Sequence, residues 1–369
     1  MWPFKKSVPA TKMLTLKQRV DEFWRWFETN AKRFFDTIED KRCGDLANEV
    51  STAVDRWFPG MAWVFGPGAN GIGHSFTLTG EAILPKQFVT EYWLIRAPQI
   101  EGWTFYSSRQ ADTNPGNFTI TLQATEEKFK PIEFWVSAYV DVNDEKVDLA
   151  VWHPSINRVS ERDRFTALYL ILDELLGEFG TQRWIREIKF SENSLQKSMP
   201  IAELVEFVQS AQSQHAWKQY PPTETWIGYR LKERSSEWLR SDTVAGSSRY
   251  FKLVGAYLDA EGPCEHPLPG FGINYVFATI LTSHFEEGSE VDGRTEIEDE
   301  IITHLERART GISIGGATGV NNCYMDFALY DGPEGLEIIR SIMRKHRVPK
   351  TSKIYFFTAD RGKDVIPVW

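Results

Sequence analysis

The stretch GISIGGATGVNNCYMDFALYDGP, residues 311–333, decides how this chain is read. Ile312 to Ile314 and Tyr324 to Tyr330 have the apolar, β-branched and aromatic character of strands. Gly315, Gly316, Ala317, Thr318 and Gly319 between them read as the glycine loop of a hairpin, where left-handed backbone is cheap. Toward the C-terminus, Pro333 starts a helix through Leu336, Ile339 and Met343, and Lys353 to Phe357 is a last strand. Toward the N-terminus, Ile273 to Thr282 is strand-like. Thr295 with Glu298 has the spacing of a capping box for a helix with Ile297, Ile301, Leu305 and Ala308 on one face, ended by Gly311. The order is β-α-β-β-α-β, the split βαβ or ferredoxin-like plan.

The same reasoning extends outward. From Leu16, apolar residues at Val20, Phe23, Phe27, Ala31, Phe34 and Ile38 fall on one helical face, and a second helix carries Leu46, Val50, Val54 and Trp57. Met61 to Phe65 and Ser75 to Thr79 predict a hairpin, Pro85 opens a helix that Pro98 closes, and Trp103 to Tyr106 is extended. Strands follow near Phe118 to Leu122, at Ile132 to Val140 and at Val147 to Trp152, the last two joined as a hairpin by a turn at Asn143 and Asp144. Ser160 then caps a helix ended by Gly180, Trp184 to Phe190 returns as a strand, and a helix runs from Pro200 to about Gln212. Residues 214–223 are polar, end in Pro221 and Pro222, and read as a linker. Beyond them, Thr225 to Leu231 and Tyr250 to Leu258 read as strands. The fold class is α+β in two domains of mainly antiparallel sheet with helices on one face: 1–213, then the linker 214–223, then a ferredoxin-like domain at 224–369.

Residues 45–107 and 296–357 share an order of helix, strand, glycine-rich loop, strand, helix, proline and strand. Common ancestry and independent reuse of a frequent α+β unit explain this equally well. The tail carries Gly-Ile-Ser-Ile-Gly-Gly-Ala-Thr-Gly, Cys-Tyr-Met-Asp-Phe-Ala-Leu-Tyr-Asp and Pro-Lys-Thr-Ser-Lys-Ile-Tyr-Phe-Phe. Over residues 311–357 it resembles uncharacterised bacterial proteins with ferredoxin-like modules, some of them similar to immunity proteins of toxin systems. The resemblance implies a fold and a bacterial cytoplasmic setting and carries over no functional residue.

The 369 residues hold 42% hydrophobic and 25% charged side chains, and 14% are aromatic, so well-filled cores are expected. A net charge of −9 disfavours nucleic acid as a partner. The basic run Arg344, Lys345, Arg347 and Lys350 reads as the C-terminal end of a helix. Cys43, Cys264 and Cys323 are three and far apart, which suits a reducing cytoplasm. Met1 to Lys6 lead into polar sequence without the apolar segment of a signal peptide, and no apolar run approaches the roughly 20 residues of a membrane span.

Candidate chemistry is sparse. Gly66 to Gly71 match G-x-G-x-x-G, but a strand rather than a helix follows, which removes the helix amides a pyrophosphate needs. The loop residues Gly315, Gly316, Thr318, Asn321 and Asn322 offer hydrogen-bonding groups to a ligand or partner, or simply turn a hairpin. Among seven histidines, His74, His153, His215, His266, His284, His304 and His346, only His266 beside Cys264 has metal-type spacing, and two ligands do not close a site. Asp173, Glu174 and Glu178 could perform acid–base work if one were buried, while Asp141, Asn143 and Glu145 have calcium-loop spacing with Lys146 where glycine belongs. Cys323 is the least implausible nucleophile. The expectation is a non-catalytic, immunity-like protein that binds another protein or itself, without metal, cofactor, nucleic acid or membrane. The alternatives are a hydrolase-type enzyme with a site assembled from distant segments and a small-anion binder.

Overall fold

The computed structural model describes residues 14–112, 118–122, 126–232 and 238–369, so Met1 to Lys6 lie outside the described residues. The chain is α+β, with nine α-helices among the described residues and sheets paired mostly antiparallel. It divides into two compact units: one takes the residues up to Lys32, Gly44–Pro59 and Trp226–Trp369, the other Arg33–Cys43 and Gly60–Thr225.

The first two helices are α1 (Leu16–Glu39) and α2 (Ala47–Trp57). The face of α1 read from sequence is buried, with Phe23 packed against Trp57 and Phe58 at ring-centroid distances of 5.9 and 5.5 Å. The start of α1 pairs with the C-terminal part of the chain, because Leu16 and Lys17 donate backbone hydrogen bonds to Gly272 and Tyr330. An N-terminal domain of 1–213 therefore departs from the observed grouping, since the amphipathic start of α1 finds its backbone partners far downstream.

In the second unit, β1 (Ala62–Pro67) and β2 (His74–Thr79) form the predicted hairpin, and α3 (Leu84–Leu94) leads to β3 (Trp103–Tyr106), parallel to β2. A two-residue ladder of β4 (Ile120–Thr121) and β5 (Lys128–Phe129) precedes β6 (Trp135–Asp141) and β7 (Lys146–Trp152). Next come α4 (Glu161–Leu176), α5 (Glu178–Trp184), β8 (Ile185–Phe190), β9 (Met199–Pro200) and α6 (Leu204–His215). Ser160 caps α4 by accepting from the Asp163 amide at 3.2 Å. The helix breaks at Gly177 (φ 73) rather than Gly180, which lies inside α5, because only glycine takes that left-handed geometry cheaply. The sheet runs β8-β7-β6-β9, and Val136, Val147, Leu149 and Val151 on one face share a core with Leu168 and Leu172 of α4 and Leu204 and Val208 of α6. Residues 214–223 are not an open linker: Trp217 is buried in this core, and the buried Thr223 hydroxyl donates to Glu91.

The remaining elements are β10 (Ile227–Arg230), β11 (Thr243–Ser248), α7 (Phe251–Asp259), β12 (Asn274–Leu281), α8 (Glu290–Ala308), β13 (Gly311–Gly319), β14 (Asn322–Leu329), α9 (Gly332–Lys345), β15 (Lys353–Phe356) and β16 (Val365–Pro367). They build an antiparallel sheet in the order β10-β11-β13-β14-β12-β15-β16. One face shares a core with α8 and α9 through Val276, Ala278, Met325, Phe327, Ile301 and Ile339. Several readings change here. The stretch read as a strand from Tyr250 to Leu258 is helical from Phe251 on, since Leu253, Val254, Tyr257 and Leu258 bury one helical face, and the preceding polar stretch supplies β11 instead. Thr295 is interior to α8 and bonds back to Val291 O at 2.7 Å, so it is no cap. The left-handed Arg309 (φ 54) ends α8, and Gly311 opens the next strand. The predicted glycine loop is itself strand: Gly315, Gly316 and Thr318 lie within β13. A Cβ at Gly315 would sit 2.6 Å from Ser247 O, so these glycines serve close backbone approach in a crowded sheet. The suspected repeat keeps element order but not pairing: β3 lies directly beside β2, whereas β12 separates β14 from β15.

Candidate functional site

The acidic residues singled out from sequence do converge. Glu178 is only 1% exposed at the start of α5, and both its oxygens are engaged: Oε1 accepts from the Ala82 amide at 2.9 Å, Oε2 from the Thr79 hydroxyl and from the Arg109 amide at 3.3 Å. Asp173 lies near the end of α4 with Arg109 Nη1 at 3.6 Å, and burial pushes its carboxyl up to about 6. Glu174 is also raised by burial, while its backbone carbonyl accepts from the Asp112 amide at 2.7 Å. Asp173 can therefore exchange a proton near neutrality, but Glu178 acts as a clasp on two segments, 79–82 and the one at Arg109. The two do not form an open acid–base pair.

The other sequence candidates are internally satisfied. At the β13–β14 turn the Asp242 carboxylate accepts from the amides of Asn321 and Asn322 at 2.8 and 3.0 Å and from the Tyr324 hydroxyl. The nest that could have held a small anion is thus filled by the chain's own carboxylate. At Gly66 to Gly71, the Gly68, Gly71 and Ala69 amides donate to Gly73 O, Gly68 O and Thr104 Oγ1. Cys323 is buried and its thiol is raised by burial, the opposite of an activated nucleophile. Cys264 donates to Phe357 O and His266 contacts Ile273 O and the Leu268 amide, so the pair is spent on the backbone. Among the described residues no group of three or more His, Cys, Asp or Glu could hold a metal. Where a calcium loop was weighed, Asp141 accepts from the Asn143 and Asp144 amides, and the cation present is Arg186, within 3.0 Å of Asp141 and 2.5 Å of Asp144.

Two features escaped sequence reading. Asp326, on β14, binds Arg240 at 2.6 and 3.2 Å, both side chains fully buried, and the guanidinium lies 5.0, 4.7 and 5.1 Å from the ring centroids of Phe277, Tyr324 and Phe357. Burial opposes the charge, but Asp326 more than offsets it and holds Arg240 above its ordinary value. The pair occupies the sheet face away from α8 and α9, with three rings packed around the guanidinium.

The second is β6. Its partner β9 covers only Trp135 and Val136, leaving the edge from Ala138 to Asp141 without a strand neighbour among the described residues. On the sheet face opposite the helices, Trp135 stands across from Trp152, and Tyr139 across from Asp148. Tyr139 is 61% and Val142 51% exposed. The far edge of the same sheet, β8, carries Arg186, Glu187 and Lys189, the charges that deter pairing with another chain. One edge is guarded and the other is bare. Apolar residues on both parities of residues 135–140 were the available signal, because a strand buried on one face alone would alternate.

No family model, curated protein or solved structure matches this chain. Among the described residues no helix is long and apolar enough to cross a membrane.

Proposed function

We propose that this chain is a non-catalytic protein-binding protein that captures an extended segment of another protein by strand addition along β6. The observation that carries the reading is the bare edge from Ala138 to Asp141, set against the charged edge of β8 in the same sheet. Main-chain groups at such an edge supply affinity, and the outward Tyr139 and Trp135 supply contact area for alternate side chains of the guest strand. The chain carries −9 overall, so a guest with basic flanks is electrostatically complementary. In this reading the C-terminal β-α-β-β-α-β run is a ferredoxin-like module, and a toxin segment held by an immunity-type protein in a bacterial cytoplasm is one instance of the partner. The Asn321 and Asn322 amides and both Glu178 oxygens are spent within the chain, which removes those places as anion-binding or catalytic candidates and leaves the β6 edge as the stronger reading.

The test uses synthetic ten-residue peptides of alternating Val and Thr, flanked by two lysines or by two glutamates, titrated against the full chain by fluorescence anisotropy. The lysine-flanked peptide is expected to bind, and Tyr139→Glu with Val140→Lys to weaken it at least about tenfold. Lys189→Glu on β8 leaves binding unchanged. Equal binding of both peptides, or insensitivity to the β6 variants, overturns the reading. A dimer of the chain that the β6 variants dissociate assigns the edge to a second copy instead.

A further inference from the structure

The helix side of the second unit contains a cleft of about 550 Å³ that strand addition at β6 does not use. This volume lies within the roughly 300–1,000 Å³ of small-molecule sites. Leu176, Phe179, Trp184 and Val208 supply its apolar lining, and Gln209, Gln212 and Gln219 line it as well, beside Gln110, whose Nε2 is spent on Ser108 O at 2.9 Å. We propose that the cleft binds an uncharged, planar nitrogen heterocycle of the nucleobase type.

Three observations converge on that chemistry. A carboxamide is neutral and presents an acceptor beside two donors, the complement of a heterocycle edge that places a donor next to an acceptor. Two charged residues line the cleft, Arg109 and Asp112, and the cation is spoken for: Arg109 faces Asp173 at 3.6 Å and Glu81 at 3.4 Å, so recognition of an anion would have to break existing pairs. The walls are also fixed before any ligand arrives. The Asp112 amide donates to Glu174 O at 2.7 Å and the Glu178 amide to Arg109 O at 3.0 Å, which pins segment 108–112 to the α4–α5 junction. Trp184 stacks on Trp217 with centroids 5.7 Å apart and planes 14° from parallel.

Gly180 then leaves the space open. A Cβ there would meet Leu176 Cβ at 3.3 Å and Gln219 Nε2 and Trp184 Cδ1 at 3.8 Å, all three from residues that line the cleft, so a longer side chain intrudes on the volume a flat ring would take. Pre-formed walls reduce the ordering cost of binding, which allows a small ligand to be held by few contacts.

The experiment is saturation-transfer NMR followed by calorimetry on the full chain with adenosine, guanosine, cytidine and uridine, with ribose, benzoate and inorganic phosphate as comparison probes. At least one nucleoside is expected to bind saturably at millimolar concentration or below. Gln212→Leu combined with Gln219→Leu, both changes on the rim, weakens it about tenfold or more at unchanged melting temperature. Gly180→Leu abolishes it; should that variant fail to fold, the rim variant decides. Absence of saturable nucleoside binding, or binding unaffected by the rim change, overturns the proposal. So does ribose matching the nucleosides, which would assign the site to sugar, or benzoate exceeding them, which would assign it to Arg109.

Discussion

Arg240 and Arg186 both face aspartates, and their surroundings make them opposite kinds of interaction. Arg240 and Asp326 are both fully buried, and the guanidinium is enclosed by Phe277, Tyr324 and Phe357. Arg186 is 39% exposed and reaches Asp141, Asp144 and Asp148 at 3.0, 2.5 and 2.6 Å. Its hydrogen bonds to Asp148 raise it above its ordinary value, yet solvent screens what that attraction contributes. In the buried pair neither ion can return to water without unfolding, so removing one partner strands the other. In the surface cluster water replaces any partner lost. Between these extremes stand Asp173 and Glu298, buried carboxylates whose cations, Arg109 and Arg294, approach only to 3.6 and 3.8 Å.

The sharpest way to break the comparison is Asp326→Asn. Loss of one member of a buried pair is expected to cost about 3–5 kcal/mol, read as a fall in urea midpoint. Arg240→Met with Asp326→Leu should recover most of it, because no unpaired ion remains; a double change as damaging as the single one would show that the ring cage itself needs the cation.

Next in size is Glu298. Burial pushes it up to about 7, with Arg294 and the Ser313 hydroxyl at 2.9 Å opposing. The folded chain therefore holds its proton from about pH 4.5, the unfolded value, to about 7, and stability falls as pH rises through that window. Glu298→Gln should remove the decline and leave a chain more stable at pH 8 by on the order of 3 kcal/mol. A urea midpoint with the same pH dependence in both proteins would mean that the carboxyl finds solvent.

Asp173 follows with the same sign and a smaller shift, from 3.8 to about 6. Its contribution is complete below about pH 4 and is lost by about pH 6, and Asp173→Asn should flatten that part of the profile by just under about 3 kcal/mol. Smallest is Arg186→Ala, expected to change stability by less than about 1 kcal/mol and by less still in high salt. A larger loss would place that cluster with the buried pair.

Much of the fold was legible because amphipathic helices announce themselves. The spacing of Leu16, Val20, Phe23, Phe27, Ala31 and Phe34 fixes both a helix and its buried face, and Ser160 marks the start of α4. Where glycine removes the side-chain signal, as through Gly315, Gly316 and Gly319 in β13, a strand is indistinguishable from a loop, and only the closeness of Ser247, Tyr324 and Asp242 explains the glycines. The short apolar run Leu253, Val254, Tyr257 and Leu258 fits helix and strand alike until neighbours decide. The acidic trio Asp173, Glu174 and Glu178 was found, but nothing in its spacing reveals that Glu178 is consumed by Ala82 and Arg109, residues distant in the chain.

The amino-acid order alone settled the α+β class, the faces of the long helices and the antiparallel hairpins at β1–β2 and β6–β7, because side-chain periodicity acts over a few residues and owes little to distant partners. Tertiary structure alone decided which carboxylates are buried, which turn amides Asp242 would occupy, which edge of the β8-β7-β6-β9 sheet stays bare and which cleft Gln209, Gln212 and Gln219 line. Desolvation and close approach depend on atoms brought together from far along the chain, and no local pattern encodes them.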